Sequence, residues 1–183
     1  MDKNIANALV QLKAYARIDG AWLGLIWVLS FVCHVMQFSM PIMQLLWMGL
    51  AFFSIVFVAL RLRLFRDNVL KGFISMRRGY VYCIYTFFYG SLILAIVQYV
   101  YLAFIDHGYL INQYIRLMTD PAMKPVIAVY GYSDTDMSLI ISSLQNIRPI
   151  EYVLQCLSLN ICLGIFVGLI ISLLMKRNKT INF

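Results

Sequence analysis

Few residues in this chain have types that do chemistry, and most of those few sit in or beside apolar runs. Asp106 and His107 place an acid next to a base, and Glu151 lies at the far end of the same segment. Titratable groups near a membrane mouth can pass protons. Chain neighbours generally point apart, however, and Asp106 before His107-Gly108 reads more simply as a helix boundary. A wider polar set, His34, Gln37, Gln44, Gln98, Gln155, Ser158 and Asn160, falls at one depth of otherwise apolar stretches. Polar groups in hydrocarbon seek partners, so one expectation is a polar pocket formed by these side chains with Asp106 and Glu151 at its rim. The plainer expectation is that those near the surface reach water, while Gln98 and Asn160 join helices through single hydrogen bonds.

The motifs that would make an enzyme are missing from the sequence. There is no HExxH, no GxSxG and no phosphate-binding glycine loop, and there are only two histidines. The four cysteines, Cys33, Cys83, Cys156 and Cys162, lie in apolar runs without a CxxC pair, which argues against zinc and disulfides. The expectation is a protein without catalytic residues, metal or cofactor.

Of 183 residues, 62% are hydrophobic and 13% charged, too apolar for a soluble domain of this size. No charge occurs in residues 20–60, a run on the order of 60 Å as one helix, about twice the hydrocarbon thickness. It must fold back, and Ser39-Met40-Pro41 is the corner, giving spans at 20–39 and 41–60. Further spans are expected at 79–105 and 152–175, with a connection at 106–151. The fold class is therefore all-α, an integral membrane four-helix bundle forming one domain. The first span follows residues of both charge signs and lacks a small-residue cleavage site, so it reads as retained rather than removed.

Twelve of the fifteen basic residues fall on one side of these spans: Lys3, Lys13 and Arg17, then Arg61, Arg63, Arg66, Lys71, Arg77 and Arg78, then Lys176, Arg177 and Lys179. Positive charge is retained on the cytoplasmic side, so both termini are expected inside and 106–151 outside. The net charge of +7 follows span ends, which favours lipid head groups over nucleic acid. The connection bearing Arg61, Arg63, Arg66, Lys71, Arg77 and Arg78 is thus a candidate contact for lipid phosphate or a partner's acidic surface, beyond its role in topology.

Within 106–151, Met137, Ile140, Ile141, Leu144 and Ile147 recur at helical spacing behind Ser133 or Asp134 as a cap. A short amphipathic helix is expected there, either on the membrane surface or packed over the bundle, with Arg148-Pro149 ending it. Gly164, Gly168 and Ser172 make a small-residue ladder on span four, and Ala16, Gly20 and Gly24 do so around span one. These are expected to pack within the bundle, or alternatively against a second copy or a membrane protein partner. Tyr80, Tyr82, Tyr85, Tyr99 and Tyr101 gather near the ends of span three and read as interfacial anchors.

The run Phe65-Arg66-Asp67, with Gly72-Phe73-Ile74-Ser75, Gly79 and Phe104-Ile105-Asp106, resembles an uncharacterised bacterial, Bacteroidota-type family of small four-span integral membrane proteins, a domain of unknown function. Members often follow the aspartate with proline, whereas His107 stands here. The resemblance brings no established activity. Through relatives encoded beside glycosyltransferases that use lipid-linked sugars, it implies a place in envelope glycan assembly. The sequence-level expectation is a non-enzymatic accessory or scaffold subunit of the bacterial inner membrane, with a small carrier or flippase for a lipid-linked or amphipathic solute as the alternative.

Overall fold

The computed structural model describes residues 3–177 of the chain. Lys179, counted above with the basic tail, lies outside them. Among the described residues, four helices are long and apolar enough to cross a membrane: α1 (Lys3–Met36), α2 (Ile42–Leu64), α3 (Met76–Phe104) and α7 (Pro149–Met175). Between α3 and α7 lie α4 (Tyr109–Thr119), a 3-10 turn at Pro121–Met123, α5 (Lys124–Val129) and α6 (Asp134–Gln145). There is no strand among the described residues; Ile74 and Arg177 form an isolated antiparallel bridge. The expected all-α membrane bundle is therefore what the chain forms.

The helix bounds differ from the apolar runs in an informative way. The first helix begins long before residue 20 and carries Lys13, Arg17 and Asp19 within it. The second continues past Arg61 and ends in a π-helical turn, Phe65–Val69. A charged residue does not end a helix when the backbone can go on and the charge finds a partner. The hairpin corner is close to where it was expected, with Pro41 as the cap of α2 and the Ser39 and Met40 amides bonded to the Met36 carbonyl. Pro149 opens α7 and does not close α6, which stops at Gln145.

The chain divides into two compact units, Met1–Val97 with Gln155–Phe183, and Gln98–Leu154. In the larger unit, α3 lies between α1 and α7, and α1 also packs on α2. The contacts are close because glycines face them. A β-carbon on Gly20 would meet Tyr89 Cβ at 2.7 Å and the Thr86 carbonyl oxygen at 2.8 Å, and one on Gly24 would meet Ile93 at 2.8 Å. On a second face of α3, Gly164 faces Phe87 and Gly168 faces Cys83, while Ser172 lies opposite Gly79. The most apolar windows belong to α2 and α7, which are also the least buried, at 17% and 22% against 44% for α1 and α3. A soluble bundle would reverse that relation, since its most apolar helices would be its core. Hydrocarbon as solvent accounts for it.

In the smaller unit, α4 packs on α6. Leu110 is buried, and Ile111, Tyr114, Ile115 and Met118 are half-buried on the same face. On α6 the positions expected from periodicity, Met137, Ile140, Ile141 and Leu144, are the half-buried ones, and Ile147 just beyond is half-buried too. Ser133 caps α6 through a capping box: its Oγ accepts from the Asp136 amide at 3.2 Å, and Asp136 Oδ2 accepts from the Ser133 amide at 2.9 Å and hydroxyl at 2.6 Å. These bonds, the hydroxyl first and then the amide, hold the Asp136 carboxyl below its ordinary range. A carboxyl depressed by folding stabilises above its unfolded pKa, and that contribution is lost as pH falls through the folded value. Acidification below the usual aspartate range is therefore expected to fray the first turn of α6. The Ser133 amide resonance, followed by NMR against pH, should move with this titration, and Asp136→Asn should abolish the movement.

Candidate functional site

Asp19 sits in α1 with apolar residues on both sides and is 1% exposed. A carboxylate so placed is tolerated only when paired and hydrogen-bonded. Its Oδ1 accepts from Arg61 Nε at 2.5 Å and from Nη2 of the same guanidinium, and its Oδ2 accepts from the Tyr82 hydroxyl. The cluster thus ties α1, α2 and α3 together. Arg61 reaches it from the helix face on which Ser54, Val58 and Leu62 are buried at successive turns. Tyr82 is fully buried, its ring stacked on Phe65 at 5.2 Å and 13°, and Phe65 in turn meets Tyr15 at 5.2 Å. Tyr82 and Phe65 belong to one buried apolar cluster with Leu12, Ala16, Val58, Leu62 and Ile74.

Chemically this is a closed arrangement. One guanidinium balances one carboxylate, a phenol supplies the remaining donor, and no group of His, Cys, Asp and Glu suited to a metal ion occurs among the described residues. The Arg61 side chain keeps 35% exposure, against 2% for that of Asp19, so Arg61 is the more accessible member of the ion pair.

Two expectations are corrected here. Arg61 is not a free contact for lipid phosphate, because Asp19 holds its guanidinium. Tyr82 is not an interfacial anchor, because α3 begins at Met76 and packs Tyr82 into the core. Arg66 is likewise engaged, with Asp67 at 2.7 and 3.1 Å and the Met175 carbonyl at 3.0 Å. Arg63 stands 3.7 Å from Asp67, whereas Lys71 and Arg77 are exposed and Arg78 is half-buried.

Of the polar set in the larger unit, His34 and Gln37 are brought together, Nδ1 to Nε2 at 3.0 Å, with the imidazole 4.9 Å from the Trp47 ring of α2. Gln44, Gln155 and Ser158 are exposed and Asn160 is half-buried. In the smaller unit, Asp106 is buried and works as a helix cap. Its carboxylate accepts from the Leu110 amide at 3.2 Å and its carbonyl from the Tyr109 amide at 2.8 Å. His107, next to it, is exposed at φ 46°. Glu151 is exposed and bonded to Arg148 Nε at 2.7 Å. Gln98 is 6% exposed, and its Oε1 has no hydrogen-bond partner among the described residues.

Asp19 escaped notice in the sequence, although a signal was present. Asp19 and Arg61 are equidistant from Met40, so a hairpin turning there brings them level. Asp19 looked instead like the last charge before a span, and Arg61 like the first charge after one.

Among the described residues, four apolar helices long enough to span, of which α1 and α7 pack on α3 through glycines and α1, α2 and α3 are tied by the Asp19–Arg61–Tyr82 cluster, define an α-helical multi-pass membrane protein. A family model described as Protein of unknown function (DUF4199) matches residues 19–177, and the chain belongs to that family. No curated protein matches the chain, and no solved structure does.

Proposed function

We propose that this protein is a non-enzymatic accessory or scaffold subunit of the bacterial inner membrane, with both termini cytoplasmic, serving a membrane partner such as an envelope glycosyltransferase that uses lipid-linked sugars. The observation that carries this reading is the closed ionic cluster: Asp19, Arg61 and Tyr82 satisfy one another and pin three helices, as suits a rigid support. Beside it, α2 presents Phe52 and Phe53, 69% and 48% exposed, and α7 presents Phe166 at 69%. These are exposed apolar side chains against which a partner helix can seat. A photoreactive residue at position 52 or 166, in the full chain in its native membrane, is expected to give a stoichiometric adduct with one and the same protein from at least one position. Adducts with lipid alone at both positions would overturn the reading.

The carrier remains as a second reading because of Gln98, a buried acceptor in an apolar helix without a partner among the described residues. The two readings predict opposite results for Gln98→Leu. In a support, removing an orphan acceptor leaves stability unchanged or raises it by about 1 kcal/mol. In a carrier, the same change stops movement of a labelled amphiphile in proteoliposomes while the protein stays folded.

A further inference from the structure

The basic end of the bundle holds more than a topology signal. The connection from α2 to α3 and the end of α7 lie more than a hundred residues apart, yet they are joined. Ile74 and Arg177 exchange backbone hydrogen bonds at 3.1 and 3.0 Å, and Arg66 Nη1 donates to the Met175 carbonyl. The join places Lys176 and Arg177 beside the cations of the connection, so that Asp67, the only acid within residues 61–78, lies in the field of Arg63, Arg66 and Arg177 together. Among the described residues the acids near this end are paired: Asp19 with Arg61, and Asp67 with Arg66 and Arg63. Of the cations on the connection and at the end of α7, Lys71, Arg77, Arg78, Lys176 and Arg177 remain, with no ion pair among the described residues.

A fold that gathers five unbalanced cations meets mutual repulsion unless an anion joins them. The surroundings say which anion. Leu173 and Leu174, 42% and 74% exposed, form the turn just before Lys176, and Leu64, 47% exposed, precedes the π-helical turn. Cations directly above exposed apolar side chains match an amphiphile, whose acyl chains lie along α7 and whose head group meets the charges. A soluble anion would leave the apolar part unused. The π-helical turn supports the same assignment, since such turns recur at functional sites, and this one aims Arg66 at the end of α7.

We propose that Lys71, Arg77, Arg78, Lys176 and Arg177 form a binding site for the phosphate of an anionic membrane lipid, with its acyl chains on the exposed last turn of α7. The site is independent of whether the protein is a support or a carrier. Its test is native mass spectrometry of the full chain released from nanodiscs containing phosphatidylcholine and phosphatidylglycerol in equal amounts. Phosphatidylglycerol is expected to be retained roughly ten-fold over phosphatidylcholine. The combined variant Arg77→Gln, Arg78→Gln and Lys176→Gln should lose that preference. The variant Arg116→Gln with Lys124→Gln, in the other unit, should keep it. The three substituted side chains form none of the helix-tying contacts, and an unchanged circular dichroism spectrum checks that the fold persists; Lys71→Gln with Lys176→Gln offers a milder second variant. Equal retention of the two lipids by the unaltered protein, or a preference that survives in both variants, would refute the site. Inorganic phosphate that displaces the lipid and stays bound itself would show a soluble-anion site and overturn the lipid assignment.

Discussion

Arg61→Met is expected to destabilise the protein by about 3–5 kcal/mol, because it leaves the Asp19 carboxylate buried with a single phenol for company. Asp19→Asn should be milder. The Arg61 side chain is already 35% exposed, and its flexible stem can carry the guanidinium toward the head groups when its partner goes. The double variant, Asp19→Asn with Arg61→Met, should recover most of the loss, since the neutral amide can still accept from Tyr82 and no charge remains unpaired. Thermal unfolding of the four proteins in one detergent completes the cycle. A double variant that merely summed the two losses would mean the pair is not coupled, and the cluster described here would be wrong.

The second large effect concerns helix approach. Gly20→Ala should destabilise by about 1–3 kcal/mol, because the new methyl would sit 2.8 Å from a backbone oxygen, which cannot swing aside as a side-chain tip can. Gly164→Ala meets Phe87 Cβ at 2.5 Å and should behave alike. Gly49 supplies the control. It faces open space on α2, so alanine there should stabilise by up to about 1 kcal/mol through helix propensity alone. Equal melting temperatures for Gly20→Ala and Gly49→Ala would disprove the contact between α1 and α3.

The four spans were legible because hydropathy acts over many residues and tolerates local error. The small-residue positions Gly20, Gly24, Gly164 and Gly168 were legible too, though not that α3 is their common partner; the sequence pattern shows that a face is smooth, not what lies against it. The α6 helix showed through its spacing and its serine cap. By contrast α4 was overlooked, although Leu110, Ile111, Tyr114, Ile115 and Met118 carry the same periodicity, because Asp106-His107-Gly108 reads as the start of a loop. In fact Asp106 caps the helix that follows it. The ionic cluster was the least legible part. Its members lie 42 and 63 residues from Asp19, and pairing across such separations follows from helix register, which composition does not report.

The bridge between Ile74 and Arg177 also bears on how the molecule comes into being. The α2 to α3 connection emerges early in synthesis, yet the groups that satisfy Ile74 and Arg66 lie at Met175 and Arg177. Three of the four spanning helices can be in the bilayer while this corner is still open. The last helix therefore acts as a latch: until it inserts and its end returns to the starting side, the corner carries unmet backbone groups and the marks of an unfinished protein. A chain shortened by its final few described residues would keep every spanning segment and still present that open corner to the cell's quality-control proteases.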